Sequence, residues 1–430
     1  MMKGVARKSL KVSLGDGICW GVMAGLAESY IVPFALALGA GAMQIAFIRS
    51  APVLLSSLGQ LGVERMVAFF GGRRSLLLRL VSLQAAALVL AAFSAMLPGH
   101  CGIYFFMALV IVYTVAGNVS TPPWSSLMCE YLPPSRRGVY LGWRDSMQGF
   151  VYSAVGFSSG WIMALFKGRD LWGFLLIFML AGSARFLSVH YISLMYESRR
   201  QAASAISEDG ESFLSFIMNL RKDNVALFTF ACSFLLFGVY LAAPFFSVYM
   251  LEGLKFSYWQ YLSVTTASAI SGYMFTKRWG DVTDKYGSVA VMRAAVCLIP
   301  LAALFWSFTT DWRLLAVNEA CSGIIWASYG RATSNFIYDS MPAALRTRYL
   351  SYFALATGVA QFAGTLCGGW LYGHMPVVWG HRFVSVLFLT TGLRLLAAVP
   401  FLFMIKQVKQ SASVHKVLTK MFVPGWLYSE

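Results

Sequence analysis

Twelve stretches of about twenty or more mostly apolar residues follow one another along the chain, each long enough to cross roughly 30 Å of hydrocarbon as a helix. Read from one charge or turn cluster to the next, they cover 13–38, 42–62, 73–97, 101–122, 138–165, 170–193, 223–250, 258–279, 287–307, 312–338, 344–373 and 380–405. Only 12% of the 430 residues are Asp, Glu, Lys or Arg, too few to cover a soluble surface of this size. The pattern predicts an all-α membrane protein with twelve transmembrane helices.

Charge in the gaps gives the orientation. The N-terminus, the gaps after the even-numbered blocks and the C-terminus hold, with the residues flanking them, 25 of the 34 Lys and Arg. The opposite side has Lys167, Arg169, Lys255, Arg313 and Arg382, and the remaining four cations, Arg49, Arg185, Arg331 and Arg394, fall inside apolar blocks. Positive charge is kept on the cytoplasmic side, so both termini are expected there, in agreement with an even number of spans. The net charge of +16 thus reads as topology and contact with anionic membrane lipid. No Lys/Arg stripe is interleaved with aromatics, and nucleic acid is not an expected partner. The seven cysteines show neither CxxC nor Cys/His spacing, so neither a metal nor a cofactor is expected. Lys3, Arg7, Lys8 and Lys11 precede the first block without a small-residue cleavage site, which reads as a retained first span.

The longest hydrophilic segment, 194–222, separates residues 1–193 from 223–406, six blocks each, and 407–430 form a polar tail expected in the cytoplasm. This is the layout of a carrier made from two helical bundles and a cytoplasmic linker. No segment outside the blocks is long enough for an ATP-binding domain, and no GxxxxGK[ST] loop is present. An ion gradient, or no energy source at all, must then drive movement.

Between blocks 8 and 9 the chain reads Gly280-Asp281-Val282-Thr283-Asp284-Lys285-Tyr286-Gly287. This resembles the GxxxD(R/K)xG loop of the major facilitator superfamily, at the place of that family's second copy. After block 2, Gly59-Gln60-Leu61-Gly62-Val63-Glu64-Arg65 followed by Phe69-Phe70-Gly71-Gly72-Arg73-Arg74 looks like a lengthened first copy, with Glu64-Arg65 in place of the Asp-Arg pair. The resemblance implies the major facilitator fold over about 12–406 and a cytoplasmic gate at Gly280, Asp284, Lys285, Gly287, Glu64 and Arg65. Gly280 is expected to permit a tight exit from one helix and Gly287 a close start of the next. The membrane arginine that many proton-coupled members carry in block 4 and the Gly-Pro pair of the antiporter signature in block 5 are missing here. Pro122-Pro123 and Pro133-Pro134 are expected to end block 4 and start the next.

A charge at mid-membrane depth costs about 2.5–3.5 kcal/mol unless it faces a cavity or a partner, so Glu28, Arg49, Arg185, Glu319, Arg331 and Arg394 require explanation. Glu28 lies about 15 Å from the outer end of its block and Arg49 about 10 Å, close enough for a salt bridge or a shared polar pocket. Either Glu28 exchanges a proton or meets a cationic group beside Arg49, or the two form a permanent pair. Arg331, Asn335 and Tyr338 share one face of block 10, while Glu319, about 18 Å from Arg331, belongs to the other half of a cavity or to a structural contact. Arg185 and Arg394, similarly placed in the two halves, read as bundle-stabilising or as snorkelling into lipid. Asp16 and Arg144 lie nearer the cytoplasmic ends, where surface pairing is cheap. Trp306 sits near a block end, as interfacial aromatics do. The Gly-rich block 11 serves close packing or flexing.

The expected activity is secondary active transport of a small organic solute by alternating access, coupled to protons, in a bacterial cytoplasmic membrane and as a monomer. The alternatives are an uncoupled facilitator, or a non-transporting receptor or assembly protein with a transporter fold. No catalytic residues are expected, so the chain is not read as an enzyme.

Overall fold

The computed structural model describes residues 2–97, 101–131, 134–197, 224–340 and 346–406, and every long element among them is an α-helix. The first half contains α1 (Met2–Ala27), α2 (Ile31–Ala37), α3 (Ala42–Leu61), α4 (Val63–Phe69), α5 (Arg73–Ala92), α6 (Cys101–Tyr131), α7 (Pro134–Leu165) and α8 (Asp170–Ser193). The second contains α9 (Asn224–Tyr240), α10 (Phe245–Val248), α11 (Tyr258–Tyr286), α12 (Ser288–Phe305), α13 (Trp312–Ser340), α14 (Arg346–His374) and α15 (Arg382–Phe403). Apart from 194–197, the expected linker and tail lie outside the described residues.

Among the described residues, eight stretches are both long and apolar enough to cross a membrane: Lys8–Ala37, Ala42–Leu61, Arg73–Met96, Cys101–Met128, Asp170–Ser193, Asn224–Gly253, Ser288–Phe305 and Arg382–Phe403. The protein is therefore an integral membrane protein built as a helical bundle. Helices α7, α11, α13 and α14 are long as well, but carry more polar side chains, such as Arg144 and Asp145 in α7 or Asn318, Glu319 and Arg331 in α13.

Prolines shape the helices, at one place against the expectation from sequence. Pro122 and Pro123 do not end α6, which runs on to Tyr131. Pro122 leaves the carbonyl of Asn118 without its helical donor, and the Gln60 side chain of α3 supplies one at 3.1 Å. Pro134, in contrast, is the first residue of α7, where its missing N–H is harmless. In the first span Pro33 frees the carbonyl of Ser29, which accepts from the Tyr261 hydroxyl at 3.2 Å, and the turn Glu28–Tyr30 tightens to a 3₁₀ helix between α1 and α2.

The chain divides into two compact units, one of Met1–Asp209 with Ser247–Leu262 and one of Gly210–Phe246 with Ser263–Glu430. In the first, α1 packs on α7 and α8, α5 on α6 and α8, and α3 on α6. In the second, α9 packs on α14 and α15, and α12 on α13 and α15. Counted by spans, four of these pairs repeat from one unit to the other. Aromatic side chains fill both interiors: Phe34 lies 4.9 Å from Phe174 and 4.8 Å from Phe106, and Phe228 lies 4.3 Å from Phe336 between ring centroids.

Small residues set the closest pairs. A Cβ on Gly25 of α1 would sit 2.6 Å from the Tyr152 carbonyl oxygen and 3.0 Å from the Gly156 nitrogen of α7. Gly364 and Gly368 of α14 press in the same way on the backbone of Phe237 and Leu241, whereas Gly373 faces open space. Close packing thus accounts for two glycines of block 11. Gly368→Ala is expected to cost about 1–3 kcal/mol through overpacking, visible as a lower midpoint in thermal unfolding, while Gly373→Ala should leave the midpoint in place.

Candidate functional site

Three helices of the first unit, α6, α7 and α8, converge on Asp16 of α1, which is 4% exposed. Its carboxylate lies 3.0 Å from Arg144 of α7 and 3.7 Å from Arg185 of α8. It also accepts from the Trp124 indole of α6 at 3.2 Å and from the Ser188 hydroxyl. Arg144 stacks over Trp124 at 4.1 Å and donates to the Ser13 carbonyl and to Gln148. Arg185 donates to Gln84 of α5 at 2.7 Å and to Ser188 at 2.9 Å. The expected surface pairing of Asp16 and Arg144 is therefore corrected: both are interior, because α6 and α8 bring Trp124, Arg185 and Ser188 over them. Arg185 likewise faces the bundle and not lipid. Each partner of Asp16 is a donor, so its carboxylate is fully engaged by the surrounding helices.

Glu28 is in a different situation. It sits in the tightened turn, accepts from the Tyr113 hydroxyl of α6 at 3.3 Å, and Arg49 of α3 is the cation that acts on it electrostatically. No ion pair joins the two charged groups, among the described residues. Arg49 in turn acts on Tyr261 from the first turn of α11. Tyr258 of that turn packs 6.2 Å from Tyr30, and Trp259 packs 5.2 Å from Phe157.

In the second unit Glu319 accepts from the Trp306 indole at 3.0 Å and from Ser268, and the cation acting on it is Arg394 of α15. Trp306 is thereby corrected from an interfacial residue to a buried donor, 2% exposed and 4.8 Å from the Phe246 ring. Arg394 is 4% exposed and donates to the Val239 carbonyl of α9 at 3.4 Å, so it too faces the bundle. Its Nε has no hydrogen-bond partner among the described residues. Arg331 is exposed, one face away from Glu319, and Asn335 is half-buried beside it on α13. The structure thus brings together Glu28 with Arg49, and Glu319 with Arg394 rather than with any group on its own helix. Tyr113, Trp306 and Asp16 are the members that sequence reasoning does not select.

At the loop ends, Gly287 has φ 87° and caps α12, a conformation that favours glycine. Gly280 does not end a helix as expected; it lies within α11 with open space around it. Lys285 and Arg65 are exposed, and the side chains of Glu64 and Asp284 lie outside the described residues. In the first unit Gly71 and Gly72 adopt φ 75° and 143° just before α5. There Glu197 accepts from the backbone N–H of Arg73 at 2.8 Å and of Arg74 at 3.1 Å, and pairs with the Arg73 side chain at 3.1 Å. A carboxylate on the first turn of α5 meets its orphan donors and its dipole. Arg74 also donates to the Ser193 carbonyl, tying α5 to the end of α8.

The structure is a membrane-embedded helical bundle with a repeated pairing order and half-buried carboxylates that have no cation in contact among the described residues. A sequence profile for the Major Facilitator Superfamily matches residues 17–316, and the chain belongs to that family of secondary transporters, which work by alternating access and are not enzymes. No curated protein matches the chain. Among solved structures, the nucleoside transporter NupG superposes with a TM-score of 0.67 at 13% identity, covering 94% of this chain and 99% of its own. The xylose transporter XylE from E. coli gives 0.66 at 15%, covering 98% and 100%. A bacterial homologue of the iron transporter ferroportin gives 0.64 at 14%, covering 92% and 98%. At these identities the likeness is one of fold.

Proposed function

We propose that this chain is a proton-coupled secondary active transporter of a small organic solute, with twelve spans in two six-helix halves, 1–193 and 223–406, and both termini cytoplasmic. The observation that carries the coupling is the contrast between the three interior acids. Asp16 is saturated by two arginines and neutral donors, whereas Glu28 and Glu319 each have an arginine within electrostatic reach and only neutral groups in contact. A half-buried carboxyl within the bundle that has no contact cation can trade its charge for a proton, and a conformational change that brings the arginine closer would release that proton.

Glu28, Arg49, Glu319, Arg331 and Asn335 are proposed to line the route of substrate or proton. Gly280, Asp284, Lys285 and Gly287, with Glu64 and Arg65, are proposed as the cytoplasmic gate. An organic solute suits this mixture of Tyr, Trp and charges of both signs, and two of the structural relatives are described as transporters of a nucleoside and of xylose. The proposed setting is a bacterial cytoplasmic membrane, in keeping with relatives of this fold from bacteria such as E. coli. The working form is a monomer, because one chain contains both halves of the repeat.

The test is uptake into liposomes containing the purified protein, with and without an imposed pH gradient, using labelled nucleosides, pentoses and amino acids. Accumulation above the external concentration that collapses with the gradient is the expected result. Equilibration that ignores the gradient would make the protein a facilitator, and a folded protein that moves none of these solutes would favour a receptor or assembly role.

A further inference from the structure

We propose that the hairpin joining α7 to α8 is a binding site for an anionic phospholipid. A groove of about 730 Å³ opens there, walled by Leu165, Phe166, Trp172 and Leu176 and rimmed by Lys167 and Arg169. Its volume lies within the range of small-molecule pockets, yet its walls are turned outward: Leu165 is 85% exposed and Trp172 is 56% exposed. In water such a surface would be a liability; in a membrane it is the face that acyl chains cover. Trp161, one helical turn before Leu165, is also exposed, and together with Trp172 it sets this groove at the depth where indoles favour the headgroup boundary.

The two cations make the groove specific. Gly168, with φ 83°, turns the chain so that Lys167 and Arg169 stand exposed on either side of it. Neither is in an ion pair among the described residues. Under the orientation proposed above, they belong to the side that holds five cations against 25 on the other, so topology gives no reason for a basic pair here. A phosphate between Lys167 and Arg169, with the first methylenes of its chain along Leu165 and Leu176, satisfies both the charges and the apolar wall. A zwitterionic headgroup would bring its own cation against the pair. A water-soluble phosphate would leave the wall bare. The occupant is therefore a phospholipid with net negative charge, such as one with a glycerol headgroup.

The test is native mass spectrometry of the detergent-purified protein titrated with phosphatidylglycerol, phosphatidylcholine or glycerol 3-phosphate. The wild type is expected to retain phosphatidylglycerol preferentially. Lys167→Gln/Arg169→Gln is expected to weaken that lipid by about 25-fold, from about fivefold per cation, and to leave phosphatidylcholine unchanged. Glycerol 3-phosphate should not compete. Full phosphatidylglycerol preference in the double variant would assign the lipid to the basic cytoplasmic loops and overturn the proposal, as would equal binding of the two lipids by the wild type. Competition by glycerol 3-phosphate would turn the site into one for a soluble anion. A second variant, Leu176→Gln, keeps both charges and should weaken both lipids alike. None of these readouts involves solute flux, so this site and the transport reading stand or fall separately.

Discussion

Asp16→Asn is expected to cost about 3–5 kcal/mol of stability, the loss typical of removing one partner from a buried ion cluster. The substitution keeps the shape of the side chain but leaves Arg144 and Arg185, both 4% exposed, without the carboxylate that now lies 3.0 and 3.7 Å away. Because the acid is met by α6, α7 and α8 from its place on α1, the damage should spread over the first unit. A denaturant or thermal unfolding series in detergent measures it. Combining Asp16→Asn with Arg185→Gln should cost less than the sum of the single changes, since the second removes one of the stranded cations. A loss below about 1 kcal/mol for Asp16→Asn would mean that the cluster is solvated, and the picture of a buried ion cluster would fail.

The second large effect concerns transport. Glu28→Gln preserves size and keeps an oxygen for the Tyr113 hydroxyl, but cannot take up a proton. Gradient-driven accumulation should drop to the level of protein-free liposomes while exchange of solute across the membrane continues. Glu319→Gln is expected to do the same, with the Trp306 contact retained. Both variants should unfold near the wild-type midpoint, because neither acid is in ionic contact with an arginine; this separates them from Asp16→Asn. If both still accumulate solute against a gradient at the wild-type rate, these acids do not couple transport to protons.

The helices are readable because a long, mostly apolar run favours a helix in a membrane: eight described stretches meet both conditions, and α7, α11, α13 and α14 match their blocks in length but carry more polar side chains. What escapes is decided between helices. Pro122-Pro123 looks like a stop from α6 alone, but a donor from Gln60 allows the helix to continue. Asp16 and Arg144 lie close to the ends of their apolar blocks, whereas their burial depends on Trp124 and Ser188, far away in sequence. Trp306 has the position of an interfacial indole, and only the approach of α13 turns it into a donor for Glu319. Glu28 is visible as an isolated acid in an apolar run. Its place at a break in the helix follows from Pro33, five residues on, a signal that the sequence does carry.

The contact of Gly25 with the backbone of Tyr152 and Gly156 has a mechanical meaning. Two helices that meet through bare main chain interlock like a key in its ward: a shift of one residue along the axis would drive a side chain into a carbonyl oxygen. In the proposed transport cycle, a rearrangement that exposes Glu28 to either face of the membrane would carry α1 and α7 as a single lever, with the bend at the tightened turn beyond Ala27.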